Sequence, residues 1–218
     1  MRVFIGSLQM KMLKGLLIVV TLFAGSARAA DWVALFNGKN LDGWTAPGGG
    51  KPGDGWAIED GALLRKTKAG DIWTKVRYGD FVLELEFQAQ GNSGVFIRTD
   101  NPKDNVQTGI EIQVDKPRPP GKHSVGAVYD LQAPSKNTAT EGWNKMVITA
   151  RGSVLKVQLN GEEIADVNLD RWTEPGLNPD GTKNKFKTAL KDFKREGHIG
   201  FQDHGAEVAF RNVRIKPL

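Results

Sequence analysis

Gly109-Ile110-Glu111-Ile112-Gln113-Val114-Asp115 alternates apolar and polar side chains without a break. Successive side chains of a β-strand point to opposite faces, so Ile110, Ile112 and Val114 enter a core while Glu111, Gln113 and Asp115 line the other side. A half-buried antiparallel strand alternates in the same way for structural reasons alone. The meaning of this polar face is therefore decided by the segments around it.

Those segments repeat the pattern. Phe81 to Gln90 sets Phe81, Leu83, Leu85 and Phe87 against Glu84, Glu86 and Gln88, and Gly91-Asn92-Ser93-Gly94 turns the chain into Val95-Phe96-Ile97-Arg98, with Phe96 and Arg98 on one face. Asn144 to Arg151, Val154 to Leu159 and Glu162 to Val167 form a meander joined at Gly152-Ser153 and Asn160-Gly161. Trp32 to Phe36, Trp56 to Glu59, Ala62 to Lys66 and Ile72 to Lys75 read as strands upstream. Gly126 to Tyr129, His198 to Asp203 and Glu207 to Lys216 read as strands downstream. The breaks are a Gly- and Pro-rich loop over Ala46 to Gly55, a Pro-rich loop over Lys116 to Lys122, and a long Lys-rich excursion, Leu169 to Glu196. The excursion holds room for one short helix at Lys187 to Phe193, and loops of this length in compact domains are usually functional or disordered. About a dozen short strands with almost no helix predict an all-β jelly-roll sandwich of two curved sheets. Its polar face gathers Glu86, Arg98, Glu111, Gln113, Gln202 and His204, a mixture expected of a cleft.

The N-terminus reads differently. A basic segment, Met1 to Lys14, precedes the apolar run Gly15 to Gly25 and the small-residue site Ala27-Arg28-Ala29, the arrangement of a secretory signal peptide. The run is shorter than the roughly 20 residues of a bilayer span; an uncleaved anchor is the weaker alternative. Residues 30–218 remain as one expected domain. Cleavage removes Arg2, Lys11, Lys14 and Arg28 and no acidic residue, leaving 26 basic against 25 acidic side chains, a net charge of +1. A near-neutral chain offers no electrostatic footprint for nucleic acid. Cysteine is absent, so the domain is stable without disulfides, and it lacks the cysteine a lipid anchor would use. Periplasmic or secreted is the expected location, with no membrane contact after cleavage.

Nine ordered motifs carry a resemblance. They are Trp56-Ala57-Ile58-Glu59-Asp60-Gly61, Tyr78-Gly79-Asp80-Phe81, Asn92-Ser93-Gly94-Val95-Phe96-Ile97-Arg98, Glu111-Ile112-Gln113, Gly126-Ala127-Val128-Tyr129, Trp143-Asn144, Leu159-Asn160-Gly161, Gly200-Phe201-Gln202-Asp203-His204-Gly205 and Phe210-Arg211-Asn212. Together they make Trp32 to Leu218 similar to the 3-keto-disaccharide hydrolase domain family, long catalogued as a domain of unknown function. The resemblance implies a concanavalin-like jelly roll that cleaves glycosides oxidised to a ketone at C3, by hydrolysis or by elimination. Gln88 stands where an arginine is common and Ile110 where a tyrosine is common, and both positions bear on substrate choice.

A C3 carbonyl acidifies the C2 hydrogen. A base removes it, an enolate forms, and the C1 substituent leaves, which calls for a base, a stabiliser of the enolate oxygen and an acid for the leaving oxygen. On this expectation His204 and Glu111 divide the base and acid roles, Arg98 clamps the enolate, and Gln113 and Gln202 anchor hydroxyls. Asp203 and Glu86 complete the substrate-binding set, Glu86 as a supporting partner. The competing reading of Arg98 is a structural ion pair with Glu86 or Glu111. No His-Glu-x-x-His and no cysteine signals a metal, so the metal is unknown; Glu111, His204 and Asp203 could assemble a divalent cation site serving as Lewis acid. Two other functions compete. Glu111-Ile112-Gln113-Val114-Asp115 imitates the Glu-x-Asp-x-Glu strand of laminarinase-type glycosidases, and Trp44, Trp73 and Trp172 could serve a lectin-like module as stacking platforms.

Overall fold

The computed structural model describes residue 1 and residues 31–218, so the signal-peptide segment lies outside the described residues. The strands are β1 (Val33–Ala34), β2 (Trp44–Thr45), β3 (Trp56–Glu59), β4 (Ala62–Arg65), β5 (Ile72–Thr74), β6 (Phe81–Ala89) and β7 (Ser93–Thr99). After a single helical turn, α1 (Asn105–Thr108), come β8 (Ile110–Val114), β9 (Asn144–Arg151), β10 (Val154–Leu159), β11 (Glu162–Asn168), β12 (His198–Phe201) and β13 (Val208–Pro217). They form two antiparallel sheets. One has the order β11-β10-β9-β6-β13-β4-β3 with β1 added on β13; the other is β2-β5-β12-β7-β8.

The alternation read from the sequence sets how the sheets meet. Phe81, Leu83, Leu85 and Phe87 of β6 are fully buried, as are Ile112 and Val114 of β8, and they share one core. An aromatic column pins the sheets together: Phe201 of β12 stacks on Phe210 of β13 with ring centres 4.0 Å apart, and Trp44 of β2 stacks on Phe201 at 4.9 Å. Aromatic side chains bury large areas in fixed geometry, so such a column fixes sheet spacing as well as stability.

Several expectations need correction. Gly126 to Tyr129 is no free-standing strand; it makes only isolated bridges, Val128 to Ile112 and Val128 to Gln132, and lies along the outer edge of β8. The helix expected over Lys187 to Phe193 is a 3₁₀ turn, Leu190–Asp192. The excursion packs by its own anchors: Phe186 meets Phe193 edge-on at 5.7 Å, and Trp172 donates its indole N–H to Asn178 Oδ1 at 2.7 Å. Trp44, Trp73 and Trp172 are all buried, so the stacking platforms expected of a lectin-like module are core and packing residues instead. β2 and α1, too short to show a period, were invisible in the sequence.

Candidate active site

Register builds the site. Trp73 pairs with Gly200, Gly200 with Phe96, and Phe96 with Glu111. One step along each strand the core-facing Ile72, Phe201, Val95 and Ile112 are opposed, and one step further Asp71, Gln202, Gly94 and Gln113 follow in a second row. Period-2 alternation places both outer rows on the face of the five-stranded sheet turned away from the core. The bridging segment extends them: Tyr129 N–H donates to Glu111 O at 2.9 Å and Gln113 N–H to Ala127 O at 2.9 Å. Tyr129 thus stands beside Glu111.

Two glycines make room on this floor. A Cβ on Gly200 would meet the Trp73 ring at 2.4 Å, which lets Trp73 lie over the strand and tilt against Phe96 at 5.5 Å. A Cβ on Gly94 would meet Glu111 Oε1 at 2.4 Å. The Glu111 carboxyl therefore rests on bare backbone, leaning from its own row toward Gln202 and Asp71. From the side, α1 and the excursion close in. Asn105 Nδ2 donates to Asp71 Oδ2 at 2.7 Å, and Gln107 bonds the excursion twice, to Lys185 O at 3.1 Å and from Lys187 N at 2.9 Å.

Glu111 is 5% exposed. Burial pushes its carboxyl up to about 8, with Lys185 pulling it down and the like charge of Asp71 adding to the rise. Asp71 is raised too, first by burial, against hydrogen bonds from Asp203 N–H and Asn105 and the nearby His204 ring. Two carboxyls with raised proton affinity thus face one another beside an imidazole and an ammonium, a grouping typical of acid–base sites. Trp73 Nε1, Gln113 Oε1 and Gln202 Oε1 are buried on this face without a hydrogen-bond partner. Buried polar groups are nearly always paired, so the face carries unused bonding capacity.

Of the expected site residues, the fold brings together Glu111, Gln113, Gln202 and His204. His204 is exposed on the turn after β12, close enough for its charge to act on Asp71. Gln113 donates through Nε2 to Asn92 Oδ1 at 2.7 Å and to Ser93 O at 3.0 Å. Three others stand apart. Arg98, 1% exposed and with φ of +50° at an irregularity in the β7–β12 ladder, turns into the end of the sandwich. Its guanidinium donates to Gly79 O at 2.9 Å, Gly152 O at 2.6 Å and Asp80 Oδ1 at 2.8 Å, a structural tie with Asp80 in place of the carboxylates considered from sequence. Glu86 faces outward from the other sheet, bonded to Arg211 at 2.8 Å and Asn212 at 2.9 Å. Asp203 clamps the neighbouring loop, accepting from Arg65 at 2.6 Å, Gly205 at 3.1 Å, Ala69 at 2.6 Å and Gly70 at 2.8 Å. Against the upward push of burial, those bonds hold its carboxyl below the ordinary range.

Both oxygens of Asp203, one member of the Glu111–His204–Asp203 grouping considered from sequence, are committed to Arg65 and to backbone N–H groups. Among the described residues no three His, Cys, Asp or Glu side chains converge as metal ligands. Asp115 is likewise consumed, bonded to the Arg118 side chain and to Lys116 N–H, so it does not mirror Glu111 as a second catalytic carboxyl. Sequence reading missed Asp71, Asn105, Tyr129 and Lys185. Two of them had a signal: Asp71 lies two residues before Trp73 and so on the same face of the strand, and Tyr129 closes one of the nine motifs that carry the resemblance.

The fold is a concanavalin-like jelly roll. A Bacillus licheniformis β-glucanase shares it with a TM-score of 0.51 at 11% identity, over 88% of this chain and 99% of that one. Residues 31–216 match the 3-keto-alpha-glucoside-1,2-lyase-like domain, and the chain belongs to that family. It is 27% identical to a 3-keto-disaccharide hydrolase of Bacteroides thetaiotaomicron over 231 aligned residues, 87% of this chain and 79% of the relative. A provisionally named glycosyl hydrolase from Parabacteroides distasonis, known by crystal structure, is 29% identical with a TM-score of 0.77, covering 86% of this chain and all of that one.

Proposed function

We propose that the protein cleaves 3-keto-glycosides by eliminating the C1 substituent, and that it does so outside the cytoplasm, as its N-terminal segment implies. The observation that carries the reading is the buried Glu111 carboxyl seated over Gly94: with its proton affinity raised to about 8, it still holds a proton at neutral pH. A protonated carboxyl at the floor of a polar face is a general acid. It delivers its proton to the C1 oxygen as the aglycone departs, and His204, at the open rim, takes the C2 proton. The unpartnered Gln113 Oε1 and Gln202 Oε1 accept hydrogen bonds from sugar hydroxyls. Water then adds to C1 of the unsaturated ketone, giving a hydrolase outcome, or the unsaturated ketone departs, giving a lyase outcome. These steps draw on side chains alone.

The family membership and the name of the Bacteroides thetaiotaomicron relative support the oxidised sugar as substrate. The test is incubation with a 3-keto-glucoside and identification of the products by NMR. Free aglycone should appear with 3-keto-glucose or the corresponding enone, and alanine at Glu111 or at His204 should slow it by at least ~100-fold. Turnover of unoxidised β-glucan, or binding of keto-glycosides without cleavage, would replace this reading.

A further inference from the structure

With Arg98 locked into the sandwich end, the elimination lacks the stabiliser that its enolate needs. Two residues that sequence reading passed over stand where one is required. Tyr129 lies beside Glu111 in the outer row, fixed by its N–H to Glu111 O at 2.9 Å. Lys185 reaches it from the excursion, its Nζ 2.9 Å from Tyr129 Oη and 4.1 Å from the ring centre. We propose that Tyr129 and Lys185 act as one unit that stabilises the C3 oxyanion: the ammonium donates to Tyr129 Oη, and the Tyr129 O–H donates to the sugar oxygen. The assignment rests on the elimination reading.

Three features separate this pair from a lysine lying on a surface tyrosine. First, the Lys185 backbone is bolted on both sides, its N–H to Asp130 Oδ2 at 2.8 Å and its carbonyl to Gln107 Nε2 at 3.1 Å, although the side chain is exposed. Those bonds come from two different segments and hold the lysine over the sheet, which reduces the conformational freedom the ammonium must lose to act. Second, Lys185 is the main charge drawing Glu111 back toward its ionised form, so its field reaches the carboxyl at the centre of the site. Third, with an ammonium bonded to its oxygen, the Tyr129 phenol turns its own hydrogen elsewhere, as a donor. Preorganised donors aimed at a developing oxyanion act most strongly where water is scarce; Tyr129 is partly buried beside the 5%-exposed Glu111, and Lys185 covers it from the solvent side.

The electron flow closes. His204 removes the C2 proton, the C–H pair becomes the C2–C3 double bond, and the carbonyl pair moves onto the C3 oxygen, where Tyr129 and Lys185 meet the charge. On collapse the C3 carbonyl reforms, the C1–C2 double bond forms, and the C1–O bond breaks with the Glu111 proton ending on the leaving oxygen.

The experiment measures kcat and KM on a 3-keto-glucoside for Tyr129→Phe, Lys185→Met, Lys185→Arg and the Tyr129→Phe/Lys185→Met double variant, with melting temperatures alongside. Each single loss should lower kcat by ~100-fold while KM moves by less than ~3-fold. The double variant should fall no more than ~3-fold below the weaker single, because partners in one unit are not additive. Lys185→Arg should recover at least ~10-fold over Lys185→Met by restoring a charged donor. Lys185 is exposed, so its variants keep the fold and carry the test even if Tyr129→Phe loosens the sheet edge. A wild-type kcat in Lys185→Met, or losses that multiply in the double variant, overturns the pair and leaves the elimination standing. A wild-type enzyme inert toward every 3-keto-glycoside overturns the elimination, and the pair with it.

Discussion

Replacing Glu111 with glutamine should make the protein more stable while disabling it, and the gain should depend on pH in a way that the structure fixes. In the folded protein the carboxyl holds its proton to about 8, against an ordinary value of 4.5 in the unfolded chain. Below pH 4.5 both states are protonated and the group contributes nothing to the pH dependence. As pH rises from there, the unfolded chain releases a proton that the native state keeps, so stability falls until the native carboxyl also ionises. At about 1.4 kcal/mol per pH unit, the full gap costs on the order of 5 kcal/mol by pH 8 and about 3 kcal/mol at pH 7. Glutamine has the same shape and no charge to desolvate. The variant's advantage should therefore be near zero at pH 4, grow steadily to pH 8 and level off above it. Urea unfolding of both proteins at pH 4, 6 and 8 measures it, and thermal melts near pH 8 should differ by roughly 10–20 °C. A stability difference that is the same at all three pH values would refute the burial reasoning, and with it the assignment of Glu111 as a proton-holding acid.

Gly94→Ala should remove activity without unfolding the protein: its Cβ would lie 2.4 Å from Glu111 Oε1, 1.0 Å inside the 3.4 Å at which ordinary contact begins, and the atom in the way belongs to a side chain. A displacement of that size costs about 100-fold in kcat, read against a melting temperature that stays near wild type. Arg98→Ala should do the reverse. Deleting this fully buried side chain leaves a cavity and loses its hydrogen bonds to the exposed Asp80 and to two backbone carbonyls, at a cost of about 2–5 kcal/mol, seen as a lower urea midpoint, while kcat per folded molecule at low temperature stays near wild type.

The sheet layout was legible because its signals are local. Alternation in Phe81–Ala89 and in Ile110–Val114, and the Asp60-Gly61 and Asn160-Gly161 turns, each set register within a few residues. Glu111 and Gln113 were found by the same logic, since a single strand places them. Glu86 stands apart because alternation tells which residues share a face of a strand, and nothing about which sheet the strand joins. Glu86 alternates as cleanly as Glu111 and faces the opposite side of the molecule. Arg98 escapes alternation altogether, because its positive φ re-aims the side chain. Lys185 was beyond reach, since its place depends on bonds to Gln107 and Asp130, 78 and 55 positions away in the chain.

The segment that lays Tyr129 beside Glu111 also occupies the outer backbone groups of β8, through the Gln113, Gly126 and Tyr129 N–H bonds. An uncovered strand at a sheet border is a template on which a second copy can grow. Loosening this segment to admit a bulkier aglycone would thus release a sticky border as well as a tyrosine. Variants selected for wider substrate range should pay in self-association, and directed changes here are best screened for monomer content before they are screened for turnover.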